Sequence, residues 1–311
     1  MTQATDLITE EAERFADALR GPDPSAPVPT CPDWTAVDLL WHLTEVHEFW
    51  AGVLGSGALT DADAEAVDAA KAPRPEGPGA RNQLVERREQ ATAALLAQLT
   101  TRGGAEACWS WFPADRTVGF TRRMQVHEAT VHRVDAQLTA NLPVTAISED
   151  VATDGIDHAV GVMWAGSWDW IPEWAEVEPL AVLCLQVRDG QDDGDGTTGA
   201  DPDSTDDGIE VEIARWHGTR PRDGEEFSQL LARPLPADGT TAPQTLGDGP
   251  ADAVGRLPRA SASGRALALY LWLWGRERAL DVLADGPQSV EITGDAEAVR
   301  AVRERVAQGM D

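Results

Sequence analysis

Basic residues are scarce in this 311-residue chain: 25 Lys and Arg stand against 53 Asp and Glu, giving a formal net charge of −28, and Lys71 is the only lysine. So acidic a surface repels the phosphate backbone of a nucleic acid and the anionic face of a membrane, and neither is an expected partner. Cysteine is scarce as well. Cys31, Cys108 and Cys184 are odd in number and widely spaced, which argues against a disulfide framework or a Cys-x-x-Cys metal knuckle and for three reduced thiols. No run approaches the roughly 20 apolar residues of a membrane span. Met1 is followed by Thr2-Gln3-Ala4-Thr5-Asp6 rather than by a basic, apolar leader, so a cytoplasmic protein is expected.

The chain is nevertheless 42% hydrophobic, enough to fill the cores of two ordinary domains. Residues 6–19 place Leu7, Ile8, Ala12, Phe15, Ala16 and Leu19 at helical spacing. Further helices are expected over residues 36–54, capped by Asp33 or Thr35, and over 84–99, 121–139 and 150–165. The first four form an antiparallel four-helix bundle, so an α domain is expected over residues 1–171. A smaller α+β domain is expected over residues 172–311, with strands at 180–187, 209–214 and 289–292, an apolar helix at 260–278 and a terminal helix at 296–307. Residues 189–208 are almost entirely Asp, Gly, Thr, Ser and Gln; that composition predicts a flexible acidic loop between two strands.

The chemistry concentrates in two helices. Glu128 and His132 lie four residues apart, so on a helix both side chains leave the same face one turn apart and can grip one ion. His42, inside the apolar run Leu39-Leu40-Trp41-His42-Leu43, is the candidate third ligand. His47, His127 and Glu45 are alternatives. His127 and His132 are five apart, about 140° round a helix, which excludes the His-Glu-x-x-His arrangement of zinc proteases. Two imidazoles and one carboxylate leave at least one coordination position open, the mark of a catalytic zinc site. A thiol entering that position would ionise to the nucleophilic thiolate.

The Cys31-Pro32-Asp33-Trp34-Thr35 entry to a helix, the histidine eight residues after Trp34, and the later Glu128-x-x-x-His132-Arg133-x-Asp135 helix together resemble the mycothiol-dependent maleylpyruvate isomerase family of DinB-like metalloenzymes. Leu271-Trp272-Leu273-Trp274-Gly275-Arg276 is more loosely similar to a segment of that family's second domain. The resemblance implies a divalent metal, most often zinc, on His42, Glu128 and His132. It also implies mycothiol as the thiol cofactor or co-substrate, a small electrophilic substrate, and either cis–trans isomerisation by thiolate addition, bond rotation and elimination, or transfer of the thiol. The alpha-plus-beta second domain follows the same pattern. A monomer or small homo-oligomer would suffice.

Other residues keep two readings. Arg276, near the end of an apolar helix, either complements the helix dipole or binds a substrate carboxylate through its planar fork. Asp135 either orients a neighbour or pairs with Arg133 or Arg122. Cys31 precedes a helix, but nothing beside it supplies a base. The tryptophans are core or interface residues, or a pocket wall. Two other classes remain open: a hydrolase in which metal-bound water attacks with Glu45 as base, and a non-catalytic metal-stabilised binding protein.

Overall fold

The computed structural model describes residues 2–188, 208–236 and 257–310. By spatial contact the chain divides into two units, 1–146 with 282–286, and 147–281 with 287–311. The break precedes the fifth expected helix instead of following it, because that helix packs on a later helix of the second unit.

The first unit is built on helices α1 (Thr2–Ala18), α2 (Ala36–Ser56), α3 (Asp61–Ala69), α4 (Ala80–Thr101) and α5 (Val118–Thr139). Four of them form a closed bundle in which α1 packs on α4 and α5, and α2 packs on the same two; short α3 lies against α2. Between α1 and α2 the chain makes a small antiparallel hairpin of β1 (Pro27–Val28) and β2 (Cys31–Thr35). Thr35 then ends the hairpin and caps α2, its backbone N–H donating to Asp38 Oδ2 at 2.9 Å. This hairpin was not anticipated, nor was α3, whose run of Asp and Ala has little apolar periodicity. Phe15, Leu39, Leu43 and Leu84 fill the bundle core with Cys31 beside them. All three cysteines are unbridged.

The second unit opens with α6 (Glu149–His158), which runs on as one π-helical stretch (Ala159–Trp164) and one 3-10 turn (Ser167–Trp170). A five-stranded sheet follows, made of β3 (Glu176–Val187), β4 (Ile209–Thr219), β5 (Glu226–Pro234), β6 (Arg259–Gly264) and β7 (Glu291–Gly294) in the order β5-β4-β3-β6-β7. Only β3 and β6 are parallel. Helices α7 (Ala266–Leu273) and α8 (Ala296–Ala307) complete it, with a 3-10 turn (Glu277–Val282) after α7.

The single helix expected over 260–278 is thus a correction. Its first part is strand β6, whose backbone is hydrogen-bonded between β3 and β7, and only Ala266–Leu273 is α-helical. Expected strands 180–187 and 209–214 lie within longer β3 and β4, β5 went unread, and the expected 289–292 strand lies two residues further on. The acidic stretch 189–207 lies outside the described residues. Trp164 is fully buried, Trp168 stacks on Arg233 at 3.8 Å, and Trp174 and Trp216 join Phe227 in one aromatic cluster. No described helix is long and apolar enough to cross a membrane.

Candidate functional site

Helix α5 occupies the middle of the first unit and is buried on nearly every face. One turn separates Glu128 from His132 on it, and α2, packed alongside, brings in His42 from the other wall. Glu128 Oε1 lies 2.9 Å from His42 Nε2 and 3.2 Å from His132 Nε2. One ligand atom from each of the three residues falls within 4.8 Å of the other two, a little more than the about 4.4 Å that two ligands at about 2.2 Å span across one ion, so a small side-chain shift would close all three on it. Among the described residues these are the only three such groups that come together.

The surroundings prepare the donors. His132 is 2% exposed, and its other ring nitrogen, Nδ1, donates to Asp135 Oδ2 at 2.9 Å. Asp135 is fully buried and also accepts from Thr30 Oγ1 at 2.5 Å, in the turn between β1 and β2. The Asp135 carboxylate therefore fixes the ring and its tautomer, leaving Nε2 aimed at the cluster. Trp34 of β2 lies against both imidazoles, 4.7 Å from the His42 ring and 6.1 Å from the His132 ring.

The charges balance through these contacts. Burial pulls the His132 imidazole down, but the carboxylates of Glu128 and Asp135 outweigh it and push its pKa up to about 9. Burial likewise works to raise Glu128, and His132 and His42 overcome it, holding the carboxyl well below its ordinary range. Without an ion, His132 is an imidazolium with a carboxylate on each nitrogen. A divalent cation would take the place of its Nε2 proton. The donor set thus fits a metal on its own geometry.

The remaining candidates fall elsewhere. Glu45 pairs with Lys71 Nζ at 2.7 Å, which occupies the carboxylate proposed as a hydrolytic base. His47 is fully buried with Nδ1 on Thr92 Oγ1 at 2.9 Å, and burial foremost lowers its pKa to about 4. His127 is fully buried and outside the cluster. Arg133 does not pair with Asp135; it reaches Glu11 Oε2 at 2.5 Å. Arg122 donates to the Leu99 carbonyl at 2.8 Å. Arg276, in the second unit, is 2% exposed and donates to the Trp274 carbonyl at 2.5 Å.

Sequence reasoning missed Trp34 and Thr30 as neighbours of the site, and left Asp135 undecided. Asp135 had a legible signal, since three residues from His132 it shares a helix face. Thr30 had none, because its place depends on the hairpin.

A helical bundle with a His-Glu-His donor set between two of its helices defines a candidate metal-binding protein of the four-helix class. Residues 5–137 match the family model for the mycothiol maleylpyruvate isomerase N-terminal domain. Two solved structures are similar over nearly the full length. The mycothiol-dependent maleylpyruvate isomerase is 12% identical with a TM-score of 0.49, covering 96% of this chain and 95% of that one. A histidine-to-alanine mutant of the mycothiol-dependent maleylpyruvate isomerase is also 12% identical, with a TM-score of 0.47 and the same coverage. No curated protein matches the sequence.

Proposed function

We propose that this chain is a mycothiol-dependent metalloenzyme that carries out cis–trans isomerisation of, or thiol transfer to, a small electrophilic substrate. The observation that carries the proposal is the donor cluster itself: His42, Glu128 and His132 with one ligand atom each within 4.8 Å of the others, and His132 held from behind by Asp135. A divalent ion there, zinc by its nitrogen and carboxylate donors, would lower the pKa of a thiol entering its open position. The protein's own contribution is to orient the His132 ring through Asp135 and Thr30, and to wall one side with Trp34. A hydrolytic reading has less support, since Glu45 is committed to Lys71.

Carboxylate recognition by Arg276 is part of the proposal. Its guanidinium matches a carboxylate in bidentate fashion, and a substrate would have to compete with the Trp274 carbonyl for it. Arg276→Lys should lower turnover with metal content intact; an unchanged rate would return Arg276 to a structural role.

Elemental analysis of protein purified without added metal tests the core of the proposal. One divalent ion per chain is expected, lost in His42→Ala, Glu128→Ala and His132→Ala alike while the helical content persists. Addition of mycothiol should be required for turnover. Full turnover by a metal-free preparation, or without any thiol, would overturn the proposal.

A further inference from the structure

A groove lined by none of the donor-cluster residues lies in the first unit. Helices α1 and α4 border this groove of about 530 Å³, lined by Glu13 and Asp17 from α1, by Arg20 just beyond it, by Arg88, Glu89 and Thr92 from α4, and by the apolar side chain of Leu96. Arg88 lies against it and is only 7% exposed. A guanidinium carries five N–H donors, yet this one makes a single long hydrogen bond, from Nη1 to the Ala12 carbonyl at 3.4 Å. Its nearest carboxylate oxygen is Glu89 Oε1 at 3.6 Å, and its Nε has no partner. A buried charge with most of its donors unused is costly, and the groove that Arg88 lines has room for an acceptor.

The lining also limits what that acceptor can be. Glu13, Asp17 and Glu89 line the groove with Arg88 and Arg20, of which Arg20 is already paired with Asp17 at 2.9 Å, and the chain carries a net charge of −28. A plain anion would be repelled by these carboxylates and by that net charge. A carboxylate that travels with its own ammonium is neutral overall and meets complementary charge at each end. Glu13 is exposed and makes no ion pair among the described residues, leaving it free to receive the ammonium. Ala12, Ala16 and Ala93 leave room for the intervening carbon.

We infer that this groove binds a free α-amino acid, with the carboxylate on Arg88, the ammonium on Glu13 and its neighbours, and a small or aliphatic side chain towards Leu96. Neither the metal nor the thiol enters this inference, so it stands or fails apart from the proposed reaction.

Titration calorimetry on the full-length protein decides it, with L-leucine, its deaminated analogue isocaproate and its decarboxylated analogue isoamylamine as probes. L-leucine is expected to bind saturably, and each analogue at least about tenfold more weakly. Arg88→Met should weaken L-leucine by a similar factor, with metal content unchanged. Because Arg88 also helps join α1 to α4, Glu13→Gln serves as the second variant: an exposed, isosteric change that should leave the fold intact and still weaken binding severalfold. Isocaproate binding as tightly as L-leucine would overturn the inference, as would the absence of saturable binding by all three probes. L-leucine binding indifferent to Glu13→Gln would overturn it too.

Discussion

Helices α5 and α7 are both buried on nearly every face, but they are made of opposite materials. Helix α7 is Ala266-Leu267-Ala268-Leu269-Tyr270-Leu271-Trp272-Leu273, apolar throughout. Helix α5 carries Arg122, Gln125, His127, Thr130, His132, Arg133, Asp135 and Gln137 into the interior of the first unit. For α7, stability comes from area removed from water, roughly 25 cal/mol per Å². For α5, each polar group loses its hydration and must find a partner to offset that loss. Substitutions in α7 should therefore act through shape, and those in α5 through the partner left behind. A helix assembled at such expense is where the candidate site resides.

The largest effect on folding should come from Arg133, which is fully buried and reaches Glu11 at 2.5 Å, Gln137 at 2.9 Å and the Thr145 carbonyl at 3.0 Å. Arg133→Met leaves a buried Glu11 carboxylate without its main partner and should destabilise by about 3–5 kcal/mol in urea melts. Adding Glu11→Leu should recover most of that loss. If the double variant is as unstable as the single one, packing rather than charge governs α5 and the contrast with α7 dissolves.

Next in size is the pH dependence of metal uptake. His132 is raised to about 9 from 6.5 in the metal-free protein, so its ionic contacts stabilise the fold fully below pH 6.5 and are lost as pH rises through about 9. Glu128, depressed, contributes above its ordinary value and loses that contribution as pH falls through its lowered one. A metal must displace the His132 proton, so affinity should rise about tenfold per pH unit up to 9 and level off beyond. Asp135→Asn keeps an acceptor for Nδ1 but removes the charge. It should weaken affinity above pH 9 by roughly tenfold and move the levelling point to lower pH. A pH-independent affinity would separate His132 from the ion.

The same contrast explains what could be read in advance. Both site helices were legible: residues 36–54 and 121–139 fall within Ala36–Ser56 and Val118–Thr139, because periodic apolar faces and caps are local signals. His42, Glu128 and His132 came with them, and the structure draws those three together. What escaped depends on distant partners. The Ala260-Ser261-Ala262-Ser263 stretch has no strand propensity of its own and becomes β6 only because β3 and β7 flank it. Trp34 and Thr30 reach the site through a hairpin too short to announce itself.

Shape should govern the second unit, and Gly155 of α6 measures it. A Cβ there would stand 2.3 Å from the Tyr270 ring of α7, and the Gly155 carbonyl accepts from Trp274 Nε1 at 3.0 Å. Gly155→Ala raises helix propensity, yet it should destabilise by about 1–3 kcal/mol because the ring is boxed in and cannot retreat. Gly155→Ala with Tyr270→Leu should recover stability by relieving the overlap. An unchanged melting temperature in the single variant would show that Tyr270 has somewhere to go.

The smallest effect should run the other way, at Gln125, where α5 departs from its own pattern. Gln125 is fully buried, and neither its amide oxygen nor its amide nitrogen has a partner among the described residues. It bears desolvation with nothing to offset it, and it lies three residues from Glu128 without belonging to the donor cluster. Gln125→Met keeps nearly the same length and volume, removes both orphaned atoms and should stabilise by about 1 kcal/mol. A melt of the metal-loaded protein with unchanged metal content would show the gain as a higher midpoint. A loss of stability would mean that the amide is satisfied by ordered water.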